Sequence, residues 1–497
     1  MEFNQEDFEP TFFFYDLETS GLNPKRDRIM QFAGIRTDLD FNPIGESVNI
    51  LVKFPDDTLP SPGAINVTGI TPQMTLADGL GEPEFCKYVT DEIFTPETIE
   101  VGYNSVRFDD EHMRYTFYRN FYDPYVWQWK DGRSRWDLLD VVRMTRALRP
   151  EGIKWPITEV SRDGETTYKP NNRLENLTRE NGIVHAHAHD ALSDVEALIS
   201  VTKMIAEKQP KLYDWLFRIR GKREVSKLVN LDDKKMFVYT SGRYSSAFMH
   251  TTVAFPLTSA RNGNVLVFDL RYNLEELLEE EKNFQPEEKV NSRGEKYMTQ
   301  FHWSPIVKEL ALNKCPVVAP VSVLDAVSET ESSDLANPQA AGTSGWEKIG
   351  LSRSTVEENL KALLAHPEFA ERMRTENEAK AEGFSTDLDV DGQLYEGFTP
   401  DSDKIKMQDV RSKDASGLAD FEPLFEDPRF SELLLHYKGR NFPNSLSEEE
   451  EKEWNRYRMA RLQAQEKGFV AELEKLQDVM DPAVLEDLVL WYQGLGQ

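Results

Sequence analysis

The chain has 497 residues, 39% hydrophobic and 29% charged, with a net charge of −29, a length that predicts two to four domains with separate cores. The mean hydropathy of −0.57 and the lack of a long apolar run exclude a helical membrane protein. The acidic start MEFNQEDFEP carries no legible secretory signal, and the two distant cysteines, Cys86 and Cys315, fit small buried groups in a reduced, cytoplasmic setting.

The segment from Thr11, TFFFYDLETSGLNPKRDRIMQFAGIRTD, reads as a strand, a Gly/Asn/Pro turn and a second strand, and VNILVKFP reads as a third. Short connections predict an antiparallel meander. TIEVGYNSVRFDDEHMRYTFYRNF reads as a fourth strand that leaves through Gly102 and Asn104 into a helix carrying Met113, Phe117 and Phe121. Between Tyr118 and Trp136, aromatic residues alternate with Arg and Lys, a composition that grips single strands by stacking bases and following the backbone. Phe121 and Trp136 are expected in the core, with Tyr125 and Trp129 as stacking platforms. After His189, the pattern Leu192, Val195, Leu198, Ile199 and Ile205 marks one helical stripe, with Thr202 as its polar member.

Strands followed by helices predict an α/β domain over residues 1–207. From Lys235 to Val321 the runs KMFVYTSG, TTVAFPL, NVLVFDL and CPVVAPV, with the acidic helical insert NLEELLEEEKNF, predict a small β domain within 208–353. SETESSDLANPQAAGTSG, residues 328–345, has the composition of a mobile linker. From 354 to 497 the pattern is helical, and the glutamates at 448–451 sit at a helix start, where acidic side chains complement the dipole.

Asp16 and Glu18 are two apart on the first strand, so both leave the same face. Like charges so placed repel unless a cation lies between them. Asp109 follows the fourth strand, and Asp194 stands one turn inside a helix with His189 before it. Four carboxylates on three elements suit a pair of hard divalent cations, which can clamp the attacking and leaving oxygens of an in-line phosphoryl displacement. The alternation of His185, His187 and His189 offers a competing zinc reading, since a strand would put all three imidazoles on one face.

The ordered set DLE, NSVRFD and HDALSD, with GLNP behind the first motif and VTGIT at 67–71, resembles the DEDDh three-prime-to-five-prime exonucleases, whose fold is ribonuclease-H-like. GYNSVRFDDE, RNFYDPY, SRWDLLDV, ALRPEGI, LNKCPV and YKGRNFP narrow the likeness to the exodeoxyribonuclease I family of bacterial single-strand-specific enzymes, and carry it across nearly the whole chain. The resemblance implies a multi-domain α/β architecture: a ribonuclease-H-like nuclease domain, a Src-homology-3-like small β barrel and an all-helical C-terminal domain. The 328–345 linker looks longer than is usual there.

By that resemblance, Asp16, Glu18 and Asp194 hold one magnesium, Asp109 completes a second site through water, and manganese is a possible substitute. His189 is the general base, a task that fits a side chain titrating near working pH, and Glu18 also touches the terminal three-prime hydroxyl. Arg173 would contact substrate near the scissile end, against a plainer reading as an ion pair with Glu175. Arg114, Arg143, Lys308, Asn313 and Lys314 would line the DNA path. Arg149 and Lys235 would receive the acidic C-terminal tail of the single-stranded-DNA-binding protein.

The implied activity is processive three-prime-to-five-prime hydrolysis of single-stranded DNA to 5′-mononucleotides by a monomeric cytoplasmic repair and recombination enzyme. The alternatives are the same chemistry on RNA and a non-catalytic single-strand binder. A net charge of −29 opposes polyanion binding unless the basic residues gather in one groove. Loss of His189 is expected to cripple catalysis and loss of His185 or His187 to matter little.

Overall fold

The computed structural model describes residues 9–162, 165–185, 190–290, 294, 296–327, 334, 336, 343–382 and 387–495. His187, His189 and most of the expected 328–345 linker lie outside the described residues. The chain divides into two compact units, the first made of Met1–Arg135, His185–Ile199 and Ser385–Gln497, the second of Trp136–Val184 and Ser200–Phe384.

β1 (Thr11–Thr19), β2 (Ile29–Thr37), β3 (Val48–Leu51) and β4 (Thr98–Gly102) of the first unit, with β5 (Ser134–Asp137) where its first segment ends, form a sheet in the order β3-β2-β1-β4-β5. The expected meander is present, since β1–β2 and β2–β3 are antiparallel, while β4 joins β1 in parallel. Strand periodicity explains β1: Phe13, Tyr15 and Leu17 enter a core with Phe32, Phe85, Met113 and Phe117. The opposite face begins apolar with Phe12 and Phe14 and ends in Asp16 and Glu18. The register shifts between Glu18 and Thr19, a bulge of the kind that re-aims side chains at strand ends.

β4 exits through Asn104, whose φ of 65° is left-handed, a conformation Asn tolerates better than most residues. It leads into α1 (Asp109–Arg119). α2 (Ala191–Lys208) buries Val195, Leu198, Thr202 and Ile205 of the expected stripe, with Val201 beside them, while Leu192 and Ile199 are half-buried. Phe121 and Trp136 are buried, as are Cys86 and Cys315.

Three C-terminal helices, α3 (Arg429–Asn441), α4 (Glu448–Leu476) and α5 (Pro482–Leu495), complete this unit. Phe430, Leu433 and Tyr437 of α3 pack with Tyr115, Tyr118 and Phe121, and Leu462, Phe469 and Leu488 pack with Met30, Phe54 and Ile65. Ser447 and Glu450 form a capping box at the start of α4, which gives the acidic run its structural role.

A buried ionic network links these helices to the turn after β1. Asp57 and Asp391 are fully buried. Arg440 contacts Asp57 at 2.7 Å and Asp391 at 2.6 Å, Arg28 contacts Asp391 at 3.1 Å, and His436 contacts Asp391 at 3.2 Å. Arg461 reaches Asp389 at 2.5 Å and donates to the backbone carbonyl of Arg26. Burial alone would raise the Asp57 carboxyl, but Arg440, Arg461 and Arg28 outweigh it and hold it well below the usual carboxylate range.

The second unit contains a hairpin of β6 (Ile157–Arg162) and β7 (Glu165–Pro170). It also contains β8 (Phe237–Thr240), β9 (Thr251–Ser259), β10 (Val265–Asp269), the short pair β11 (Glu288–Val290) and β12 (Lys296–Met298), β13 (Val307–Leu310) and β14 (Val317–Pro320). Five of these form an antiparallel sheet in the order β13-β10-β9-β8-β14. Asp334, inside the stretch read as a linker, is buried and bonded by both carboxylate oxygens to Arg146 at 2.7 Å. Among the described residues no helix is long and apolar enough to cross a membrane.

Candidate active site

Asp16 and Glu18 on β1 and Asp194 in the first turn of α2 bring carboxylate oxygens within 4.8 Å of one another. The strand supplies two of them through its period of two, and the helix brings the third. Burial, then Asp194, pushes the Asp16 carboxyl well above its ordinary range. Burial, then Asp16, Asp194 and Asp190, pushes Glu18 up to about 9. Burial and like charge disfavour the ionised forms of such a set, and its all-oxygen donors suit a hard divalent cation.

Asp109 opens α1 and is buried, and it stands outside that group of three. Its neighbour Asp110 anchors the helix start: Tyr15 donates to Asp110 at 2.6 Å, and Arg135 pairs with the same carboxylate. Burial would raise Asp110, but Arg135 and Arg114 overcome it and keep the group ionised. Asp109 is thereby fixed beside the strand that carries Asp16 and Glu18.

His185 is the described histidine of its triplet, and its Nε2 lies 2.5 Å from Asp194 Oδ1 with the ring nearly buried. The sequence reading kept His185 only in the zinc alternative and did not foresee this contact. Alternation alone does not say which imidazole reaches the helix. A second oxygen-and-imidazole group, Asp389, Asp391 and His436, also satisfies metal-ligand spacing. Arg28, Arg440 and Arg461 already supply its positive charge.

Among the expected DNA-contacting residues of the first unit, Arg114 bonds Glu111 and Gln128 and lies over the Tyr125 ring. Tyr125 is partly exposed and Trp129 is 65% exposed. Sequence reading missed Tyr395, whose hydroxyl donates to Glu111 at 2.6 Å and whose ring lies 6.4 Å from Tyr125. Phe398, three residues on, is 97% exposed. The signal was QLYEGF, an aromatic pair outside any helical stripe.

In the second unit, Arg143 pairs with Asp140 at 2.6 Å. Arg173 is exposed and 3.6 Å from Glu175, the ion pair foreseen as its plainer role. Lys308 is buried on β13, with its ammonium over Tyr244 and donating to the Ser304 carbonyl, while Asn313 and Lys314 are exposed in the following turn. Arg149 spends its guanidinium on the carbonyls of Leu148 and Val323. Lys235 is exposed, 3.5 Å from Asp233.

Three family models match the chain in order: Exonuclease at residues 13–202, Exonuclease I SH3-like domain at 220–376 and Exonuclease I C-terminal domain at 388–495. Exodeoxyribonuclease I of Haemophilus influenzae is 40% identical over 94% of this chain and 93% of its own. Exonuclease I of E. coli in complex with a dA16 oligonucleotide superposes with a TM-score of 0.84 at 36% identity, covering 98% of this chain and 100% of that one. A zinc-bound form of the E. coli ExoI–ssDNA complex gives 0.83 at 35% identity, with 99% and 100% coverage. An SSB/exonuclease I structure with an inhibitor gives 0.80 at 34%, with 98% and 100% coverage.

Proposed function

The chain belongs to the exonuclease I family, and from that premise we propose that it removes 5′-mononucleotides processively from the three-prime end of single-stranded DNA. The observation that carries this reading is the convergence of Asp16, Glu18 and Asp194 within 4.8 Å in a chain matched along its length by that family. Residues 1–207 carry the chemistry, and 208–353 and 354–497 shape the strand's path.

In this reading Asp16, Glu18 and Asp194 would hold magnesium, Asp109 would complete a second site through water, and manganese would be able to replace it. The ions supply Lewis acidity and a lowered water pKa. His189 takes the proton from the attacking water, while Glu18 stays beside the terminal hydroxyl. Bases stack on Tyr125, Trp129, Tyr395 and Phe398, whose faces tolerate any sequence. Arg114, Arg143, Arg173, Lys308, Asn313 and Lys314 complete the contacts, with Lys308 acting through its hold on Tyr244.

The SSB/exonuclease I relative supports an acidic single-stranded-DNA-binding-protein tail as partner, received near Arg149 and Lys235. The protein works as a cytoplasmic monomer in repair and recombination. The zinc alternative draws on the zinc-bound relative, but the ligands grouped here are carboxylates.

The test is the product ladder from a five-prime-labelled single strand beside its duplex and its RNA counterpart, with and without EDTA. Stepwise shortening of the single DNA strand alone, lost in EDTA and in Asp16→Ala with strand binding retained, is expected. Full activity in Asp16→Ala or in EDTA overturns the reading. Faster loss of RNA redirects it to RNA, and stoichiometric zinc supporting hydrolysis favours the histidine site.

A further inference from the structure

The sheet face that carries Asp16 and Glu18 stays polar beyond β1. Gln31 on β2 is the direct cross-strand partner of Glu18, and Ala33, the partner of Asp16, is in turn opposite Asn49 on β3. All lie on one face by the strand period, with about 4.8 Å between neighbouring strands. The carboxylates therefore continue into a row of amides.

Gln31 is 6% exposed, and its Nε2 donates to Asn49 Oδ1 at 2.9 Å. Its Oε1 is buried with no hydrogen-bond partner among the described residues. Native proteins rarely leave such an atom unmatched, because its lost hydration goes uncompensated.

The two amides line a cavity of about 640 Å³ together with Asp78, Asp190, Leu51, Ile70 and Met74. This volume is in the range of small-ligand sites. The charge of Asp190 also reaches Glu18 and adds to the rise of that carboxyl. An oxygen acceptor beside carboxylates admits a neutral donor and repels an anion.

The geometry points to Gln31 as the residue that recognises the strand's terminal three-prime hydroxyl. Its Oε1 accepts the hydroxyl proton, and Asn49 holds the amide in that orientation. A hydroxyl has one proton to give, so Glu18 can lie against it and still keep its oxygens for a cation. A three-prime phosphate, anionic in this surrounding, is disfavoured. The inference rests on the exonuclease reading and names the feature of the strand end that the site selects.

The experiment compares release of the first nucleotide from oligonucleotides ending in a three-prime hydroxyl or in a dideoxynucleotide, with KM and kcat measured separately. In Gln31→Met, the preference for the hydroxyl end should shrink by about 5–10-fold, the worth of one such bond, mainly through KM, with the dideoxy strand little changed. Asn49→Ala, at an exposed edge position, leaves the amide unheld and should lower the same preference at least about twofold. It serves if Gln31→Met does not fold. An unchanged preference in both variants, with equal losses on the two strands, overturns the inference while leaving the exonuclease reading intact. Failure of the unmodified chain to cleave either strand overturns that reading and this inference with it.

Discussion

Replacing His185 by alanine tests whether the contact on Asp194 tunes the metal site. The imidazole Nε2 is 2.5 Å from Asp194 Oδ1, and the ring is nearly buried. A hydrogen bond to a charged group contributes about 1.5–3 kcal/mol, and 1.4 kcal/mol is a factor of ten, so the loss corresponds to roughly 10–150-fold in affinity. This agrees with the 10–100-fold typical when a partner of a metal ligand is removed. Titrating hydrolysis with magnesium should therefore show the midpoint shifted up at least tenfold, with much of kcat regained at saturating metal. His189→Ala should differ in kind, losing kcat at every metal concentration. A His185→Ala variant with an unchanged magnesium midpoint would refute the argument and restore the view that this histidine is incidental.

Asp391→Ala leaves Arg28, Arg440 and Arg461 facing a hole in a fully buried network. Breaking such a pair costs about 3–5 kcal/mol, so thermal unfolding should move down by roughly 6–20 °C, and a shift under 2 °C contradicts the assignment. In the metal-free chain, Glu18 is raised to about 9, first by burial and then by Asp16 and Asp194. The stability from its proton is full below an unfolded value of about 4.3 and lost as pH rises through about 9. Magnesium should thus raise the melting temperature more at pH 8.5 than at pH 6, and equal increments at both would count against a carboxylate site. Trp129→Ala, at an exposed ring, should weaken oligonucleotide binding by about 1–3 kcal/mol without lowering thermal stability; unaltered binding removes it from the platform.

The chemistry-bearing face of β1 was readable because a strand's period of two is indifferent to its surroundings, and Phe13, Tyr15 and Leu17 alternate with Phe14, Asp16 and Glu18. The exit of β4 into α1 was readable for a similar reason, since Asn104 and the acidic helix start are local signals. Long-range pairings were not. Asp57 and Arg440 stand 383 positions apart, and nothing in either neighbourhood announces the other. Lys308 reads as a surface cation from its flanking residues yet is buried over Tyr244. Asp334 lies in a stretch with linker composition yet is clamped by Arg146. Composition averages over a window, whereas one ion pair can fix a single residue inside it.

The net charge of −29 takes on a different meaning once its members are placed. Arg28, Arg119, Arg440 and Arg461 are buried against carboxylates inside the first unit, so they do little to attract a polyanion from solution. The carboxylates at the candidate site are the more consequential ones. Burial first, and then the negative charge of Asp16, Asp194 and Asp190, drives Glu18 up to about 9, and that same negative charge would repel a phosphate brought beside it. A divalent cation held by Asp16, Glu18 and Asp194 would reverse the sign of that field locally, and in the proposed reading this would let the scissile phosphate approach. In the proposed reading, strand binding along Tyr125, Trp129 and Tyr395 would depend on ring faces and on cations such as Arg114, which lies over the Tyr125 ring, and so would persist without metal. The acidic balance of the chain is therefore compatible with a nuclease whose grip on the strand and whose chemistry on its end are separable.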